Sequence, residues 1–415
     1  MAIAARRARK SLEYIAHNLD LERSVETNPV EGEGDLRRMT FEQRKAFIEQ
    51  KAGIEIPVMN NCALSQEDVE GNIENFLGCA QVPVGIAGPI HMNGEHAKGS
   101  FFIPLATTEG ALVASYNRGM AVLRKSGGCT VRIMDQGMQR APVFMLPSLD
   151  EARKLSSWLE ENRSVLEDVA GTTSGRIRLI DIEQYPLGRR LYIRLVFSTA
   201  DAAGQNMANK AAYMVRRYVH DEYPGKISSS WLESNFATDK KHSSVNVLMT
   251  RGKKVTAEAV IPSKVLESVL RASPKKFVEL AQAGFLGSFY SGSNSNGLHA
   301  ANGLAALYIA CGQDVANLAE GSSSIIDVHE VEGGLYIAIT LPSLIVGTVG
   351  GGTGLPTQSE CLSIMGCKGT GKAAKFAEIC AAVVLAGEIS LAGAIIAEEW
   401  TEAHESMGKN RPAEK

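Results

Sequence analysis

Pro104-Leu-Ala-Thr-Thr-Glu109-Gly-Ala-Leu-Val-Ala-Ser-Tyr-Asn-Arg-Gly119 decides how this chain is read, because it sets one carboxylic acid at a strand-to-helix junction. Phe101 to Leu105 reads as a strand. Thr107 and Thr108 are residues of the kind that cap helices, so Glu109 is expected in the first turn of the helix that follows. Leu112, Val113, Tyr116, Met120 and Leu123 keep a spacing close to helical, which predicts a largely buried helix up to the turn at Gly127-Gly128. An acid in that position is pulled two ways: exposed amides favour its anion, and burial favours its protonated form. Taken by itself the stretch supports a plain N-terminal capping acid.

Working outward, a capping box at Thr40-Phe-Glu-Gln43 opens a helix to about Ala52 within a polar, helical segment covering residues 1–60. Glu74 to Pro89 is a short apolar strand punctuated by Pro and Gly. Cys129 to Met134 and Pro142 to Met145 read as two strands flanking Asp135 to Arg140. Leu149 to Val169 is helical, and Arg176 to Ile182 with Arg190 to Phe197 forms a hairpin of alternating, β-branched residues. A helix from Met207 to Tyr218 follows the glycine-bearing start Asp201-Ala-Ala-Gly204, which suits either an Asp cap or a phosphate cradle. The polar loop Ser228 to Ser244 looks like a return from an inserted domain. Strands are expected at Val245 and Val255, helix from Ser263 to Asp314 with a break at Gly287 to Gly297, and a second hairpin at Ile325 to Val331 and Leu335 to Leu341.

The chain has 415 residues, 45% hydrophobic and 21% charged, with net charge -3. That length favours two domains plus a small extra segment, and the charge gives no electrostatic case for a nucleic-acid partner. Seven cysteines without a Cys-x-x-Cys pair suggest neither a disulfide framework nor a zinc knuckle, and point to a reducing cytoplasm. The eight histidines show no ligand spacing, so no metal site is expected. The most apolar helix, Phe376 to Ala397, is divided by Glu378 and Glu388 into runs shorter than the ~20 residues of a membrane span.

Two rival chemistries can be weighed on sequence alone. Gly366-Cys-Lys-Gly-Thr-Gly371-Lys372 has P-loop spacing, but Ala373 stands where magnesium needs a hydroxyl, and helix precedes it where the motif needs a strand. No Gly-x-Gly-x-x-Gly lies between a strand and a helix, so a Rossmann dinucleotide site is not indicated.

ENFLGCAQVPVGIAGPI (74–90), LATTEGALVASYNRG (105–119), DAAGQNM (201–207), ATDKK (237–241), HAAN (299–302) with ACGQD (310–314), and IVGTVGGGTGL (345–355) together resemble the catalytic portion of 3-hydroxy-3-methylglutaryl-CoA reductase, class I, in its soluble prokaryotic form. The resemblance covers about Asn61 to Arg411. It implies an α+β fold with a large substrate domain (61–141 and 233–399), an inserted small ferredoxin-like cofactor domain (142–232) and a C-terminal flap (400–415). It also implies active sites between two subunits of a homodimer or dimer of dimers.

The same resemblance implies the roles. Glu109, Lys240, Asp314 and His404 match the family's catalytic acid, lysine, aspartate and tail histidine. Ser115, Asn117 and Arg118 match coenzyme A contacts, and Arg140, Asp239, Lys241, Lys264, His299 and Asn302 surround the hydroxymethylglutaryl part. Ser174, Gly175, Arg176, Asp201, Gly204, Gln205, Asn206, Met207, Val349, Gly350, Asn410 and Arg411 fall on the cofactor side, with NADPH expected and NADH possible. The implied reaction reduces the thioester with two hydrides to mevalonate and coenzyme A. Lys240 would then stabilise an oxyanion, and an adjacent Asp314 would raise the pKa of Glu109. Three departures stand out: Gly175 where many relatives carry Arg or His, Gln205 where they carry Met, and a longer spacing between His404 and Asn410-Arg411 than in the animal form. They leave open a related acyl-CoA reductase with another acyl group or an NADH preference.

Overall fold

The computed structural model describes residues 38–57 and 61–398, which fall into two compact units. One holds the described residues up to Gln81 together with Gly171–Gly175. Its helix α1, Phe41–Ala52, starts at the expected capping box: the Thr40 side chain accepts the Gln43 N–H, and the Gln43 side chain accepts the Thr40 N–H. Arg44 is buried and donates to the carbonyls of Phe76 and Met39 and to Gln66 Oε1, so the guanidinium is satisfied without water. Phe41 stacks on Phe76 with ring centroids 5.6 Å apart.

The second unit, Val82–Ala170 with Arg176 onward, is α+β. Strands β1 (Val84–Gly94) and β2 (Lys98–Ala106) pair antiparallel, and the end of β1 lies parallel to β3 (Cys129–Arg140). Of the two strands expected around Asp135, the first runs on through Asp135 to Arg140, and the second forms separately at Val143–Met145. A bulge between Ile133 and Asp135 absorbs the polar stretch instead of ending the ladder. Along β3, Thr130–Gly137 pairs with β8 (Gly252–Pro262), and Met138–Arg140 pairs with β6 (Arg190–Ser198). Around β6 lie β5 (Arg178–Leu187) and β4 (Val143–Met145), with β7 (Ser229–Trp231) beyond β4. On the other side β8 pairs with β10 (Gly334–Leu344), which pairs with β9 (Ile325–Val331).

The helices of this unit are α2 (Leu112–Lys125), α3 (Leu149–Glu161), α4 (Arg163–Gly171), α5 (Gln205–Glu222), α6 (Ser244–Met249), α7 (Pro274–Ser291), α8 (Ala300–Ala310), α9 (Leu318–Gly321), α10 (Pro356–Ile364) and α11 (Ala373–Ile396). The strand expected at Val245 is helix α6. Ser243 accepts the Asn246 N–H and so caps a helix over the β-branched residues.

The core is built around α11, whose residues from Phe376 to Ser390 are all buried. Among the described residues it is the one helix long and apolar enough to cross a membrane, with mean hydropathy 2.2, and it lies inside the protein. Glu378 and Glu388 do not interrupt it. Both are buried, and each carboxylate accepts three backbone amides: Glu378 those of Glu95, His96 and Ala97 in the β1–β2 turn, and Glu388 those of Leu298, His299 and Ala300 at the start of α8. Turns and helix starts leave such N–H groups without partners, and the central helix supplies the acceptors. Where α2 crosses α11 a Cβ on Gly119 would collide with the Ala386 carbonyl, so the backbones meet directly.

Candidate active site

Glu109 lies in the turn between β2 and α2, ahead of the helix rather than in its first turn. The N-cap position is Ala111, with φ of 67° and no side-chain cap. Thr107 Oγ1 accepts the Glu109 N–H at 3.0 Å, a hydroxyl turn that competes with helix. The exposed Glu109 carboxylate accepts from Asn302 Nδ2 at 2.9 Å. Asn302 stands in the first turn of α8, whose amides Glu388 caps, so the central helix fixes the partner of Glu109 indirectly.

Lys240 occupies a tight loop between β7 and α6, with φ of 55°, and its Nζ lies 2.8 Å from Asp314 Oδ2. Asp314 follows α8 at its far end and accepts the Ala316 N–H. Roughly 12 Å of helix runs from Asn302 to Ala310. Among the described residues no hydrogen bond or ion pair joins Glu109 to Lys240 or Asp314. The expectation that Asp314 sits beside Glu109 is therefore not met within one chain: α8 holds the two acids at opposite ends, and Asp314 pairs with Lys240.

Around Lys240 the charges are dense and buried. Arg140, at the end of β3, donates to Asp239 at 3.0 Å. Arg251, fully buried, lies 2.9 Å from the other Asp239 oxygen and pairs with the equally buried Glu320. Glu320 accepts the Lys241 N–H, and Lys241 Nζ reaches the Asp239 carbonyl. Burial pushes the Glu320 carboxyl up, to about 7, against the pull of Arg251. Gln205 donates to Asn317 Oδ1 at 2.6 Å and approaches Asp239, so this departure from the family pattern faces the lysine cluster.

Ser115 lies 3.4 Å from His299 Nε2 and 3.2 Å from Ser390 on α11, and Arg118 also donates to Ser390. His299 is buried and stacks on Tyr116 at 4.8 Å. Asn117 turns to β1, where its Oδ1 accepts the Gly88 N–H. Lys264 stands exposed on the turn after β8 and makes no hydrogen bond or ion pair with other described residues.

The Asp201–Gly204 loop and the Gly347–Gly350 loop lie together, joined by the Thr348 N–H to the Asp201 carbonyl at 2.9 Å. Gly204 (φ 84°) starts α5 and Gly350 (φ 82°) ends the second loop, while Asn206, Met207 and Val349 flank them. Beside them opens a cavity of about 230 Å³, lined in part by Thr199, Asp201 and the buried Lys253. Burial lowers the pKa of that ammonium, and Asp201 opposes the shift.

Asp201 does not cap its own helix; it accepts the amides of Gly371 and Ala373. Burial works against this anion, but the amide hydrogen bonds outweigh it and hold the carboxyl below its usual range. A carboxylate on those amides, after the helix α10, leaves no phosphate cradle at 366–372 and overturns the P-loop alternative. Ser174 and Gly175 group with the first unit, and Arg176 is exposed. His404, Asn410 and Arg411 lie outside the described residues, as do most of the N-terminal helical segment and the C-terminal flap.

Sequence reading missed Arg251, Glu320, Asn246, Ser390, Glu388 and Lys253. No local motif marks them. Only Glu388 and Ser390 carry a signal, as polar residues inside the apolar run of α11.

A family model described as hydroxymethylglutaryl-coenzyme A reductase matches residues 40–409. A relative named 3-hydroxy-3-methylglutaryl-coenzyme A reductase from Pyrococcus abyssi is 43% identical over 388 residues, 91% of this chain and 94% of that protein. One of the same name from Methanocaldococcus jannaschii is 42% identical over 378 residues, 90% and 93% respectively. One from Xenopus laevis is 39% identical over 345 residues, 80% of this chain and 38% of that protein. Among solved structures, the class II enzyme from Streptococcus pneumoniae bound to NADPH has a TM-score of 0.65 at 18% identity, covering 86% of this chain and 87% of that one. At that identity the likeness bears on the fold.

Proposed function

The chain belongs to the hydroxymethylglutaryl-coenzyme A reductase family, and on that premise we propose how its residues divide the reduction of hydroxymethylglutaryl-CoA to mevalonate and coenzyme A. The observation that carries the proposal is the Lys240–Asp314 pair at 2.8 Å, a half-exposed ammonium set on a buried charged base. An ammonium in such a site stabilises an oxygen that gains negative charge, which happens once in each of the two reductions. Asp314 holds the ammonium in place. Glu109, oriented by Asn302, is the proton donor to the nascent alcohol, and His404 protonates the departing coenzyme A thiolate. Ser115, Asn117 and Arg118 face coenzyme A; Arg140, Asp239, Lys241, Lys264, His299 and Asn302 surround the acyl part.

NADPH supplies the hydride. The paired loops at Asp201–Met207 and Val349–Gly350 would hold it, with Ser174, Gly175, Arg176, Asn410 and Arg411. The buried Lys253 ammonium beside those loops suits an anionic ligand, and the cavity, below the ~300 Å³ of a whole ligand pocket, suits part of a dinucleotide. The relative from Streptococcus pneumoniae, solved with NADPH, supports the choice. Identity near 40% to the archaeal and frog relatives, against 18% to the class II structure, supports class I.

The strands paired around β6 support a small cofactor domain at 142–232 inserted between the two parts, 61–141 and 233–399, of the substrate domain. Segments 1–60 and 400–415 would complete it as an N-terminal segment and a flap. Two further readings concern the cell. The described cysteines are free thiols, which suits the cytoplasm. Phe285, Leu286, Phe289 and Tyr290 stand exposed on α7, Tyr290 by 95%, which supports a homo-oligomer. Initial rates of the purified protein on hydroxymethylglutaryl-CoA should show turnover with NADPH and weaker turnover with NADH. Turnover of a different acyl-CoA alone, or a clear NADH preference, would redirect the reading toward the departures at Gly175 and Gln205.

A further inference from the structure

One short stretch of chain grips the loop that carries Lys240 in two places. Asp314 takes the Lys240 ammonium, and Glu320, on α9 just beyond, accepts the backbone N–H of Lys241 at 2.9 Å. The other Glu320 oxygen takes the Arg251 guanidinium. Arg251 in turn lies 2.9 Å from Asp239 on the near side of Lys240, as an ion pair rather than an aligned hydrogen bond. The side chains of Arg251 and Glu320 are both 0% exposed, so neither reaches a substrate that enters from solvent.

The loop needs such a grip. Thr238 and Lys240 have φ of 53° and 55°, a left-handed conformation that residues with a Cβ keep only where their surroundings impose it. Asn246 adds to the hold by donating to the Thr238 and Lys241 carbonyls.

We infer that Glu320 and Arg251 are positioning residues for the reduction: without touching substrate, they fix the Asp239–Lys241 loop so that the Lys240 ammonium is presented beside Asp314. This rests on the role proposed for Lys240. A buried ion pair that only stabilised the fold would also tie these residues together, and the two cases differ in what titration does. Glu320 is faced by Arg251 and Asp239, with Arg140 behind Asp239, and by the Tyr308 phenol of α8. Its carboxyl titrates near 7, raised by burial from 4.5. On this inference, as pH falls through about 7 the carboxylate is neutralised, Arg251 keeps Asp239 as its ionised partner but loses Glu320, and the loop loosens. The stability linked to this group runs the other way. With its folded pKa above the unfolded value, that contribution is full below about 4.5 and is lost as pH rises through about 7.

The test uses the full chain with Glu320→Gln. Three readouts are followed: kcat and KM for hydroxymethylglutaryl-CoA with NADPH, the kcat–pH profile, and hydrogen exchange of the Lys241 amide. The expected result is a kcat lower by on the order of a hundredfold, as for a small misplacement of a reacting group, with KM little changed. The Lys241 amide should exchange faster, and the acid limb near pH 7 should vanish. An unchanged kcat, a loss lying wholly in KM, or unaltered exchange at Lys241 would overturn the inference. If the Gln variant does not fold, Arg251→Lys decides by the same readouts, because it keeps the charge and loses the fork. Absence of turnover in the unmutated chain would instead count against the proposed function, while the exchange measurement would still report on the grip.

Discussion

At the scale of the residue, the chemistry rests on side chains whose type is ordinary and whose partners are far away in sequence. In the proposed reaction Lys240 acts because Asp314 holds its ammonium and a strained loop aims it. His404 has the narrowest proposed task, since a thiolate leaves only in the first half of the reaction. His404→Gln keeps size and hydrogen bonding but cannot act as that acid. It should slow thioester reduction by on the order of a hundredfold and leave reduction of added mevaldehyde nearly intact, as paired rate measurements would reveal. Equal loss of both activities would reject the role. Such residues could be named from the sequence because whole blocks around them match a family, not because their spacing discloses a site. The partners were illegible for a physical reason: Glu320 meets Lys241 across 79 positions and Asn302 meets Glu109 across 193, and a fold makes such pairs without local pattern.

At the scale of the element, α11 organises the unit. Its acids looked from composition like interruptions of an apolar run, yet each carboxylate gathers three amides from a turn or helix start elsewhere. Glu388→Gln keeps the shape but replaces the charge-assisted hydrogen bonds and turns one donor toward amides. Unfolding in urea should register a loss of about 2–3 kcal/mol, and an unchanged midpoint would show that the start of α8 does not depend on that carboxylate. Elements with strong local signals were legible: the capping box of α1 and the β5–β6 and β9–β10 hairpins all formed where expected. Those that went astray did so where local chemistry offered two solutions. Thr107 turns the backbone before α2 instead of capping it, Ser243 caps a helix over valines, and a bulge carries β3 through polar residues.

At the scale of the whole molecule, the proposed site is divided into two halves within one chain. Glu109 with Asn302 lies at the start of α8, and Lys240 with Asp314 lies at its far end. On the proposed reading, a second copy brings its Glu109 to this Lys240 and so joins the halves. The exposed apolar face of α7 supports such an assembly. The most direct measurement coexpresses Glu109→Gln and Lys240→Ala chains carrying different tags and assays the purified mixture on hydroxymethylglutaryl-CoA with NADPH. Each variant alone should be slower by on the order of a thousandfold, as when one oxyanion donor is removed. Random pairing in a two-fold dimer should restore about a quarter of the unmutated activity, because half the dimers are mixed and each of those holds one intact site. A mixture as inactive as its components would contradict a reductase site shared between copies, and full activity of Lys240→Ala alone would contradict the role of the lysine itself.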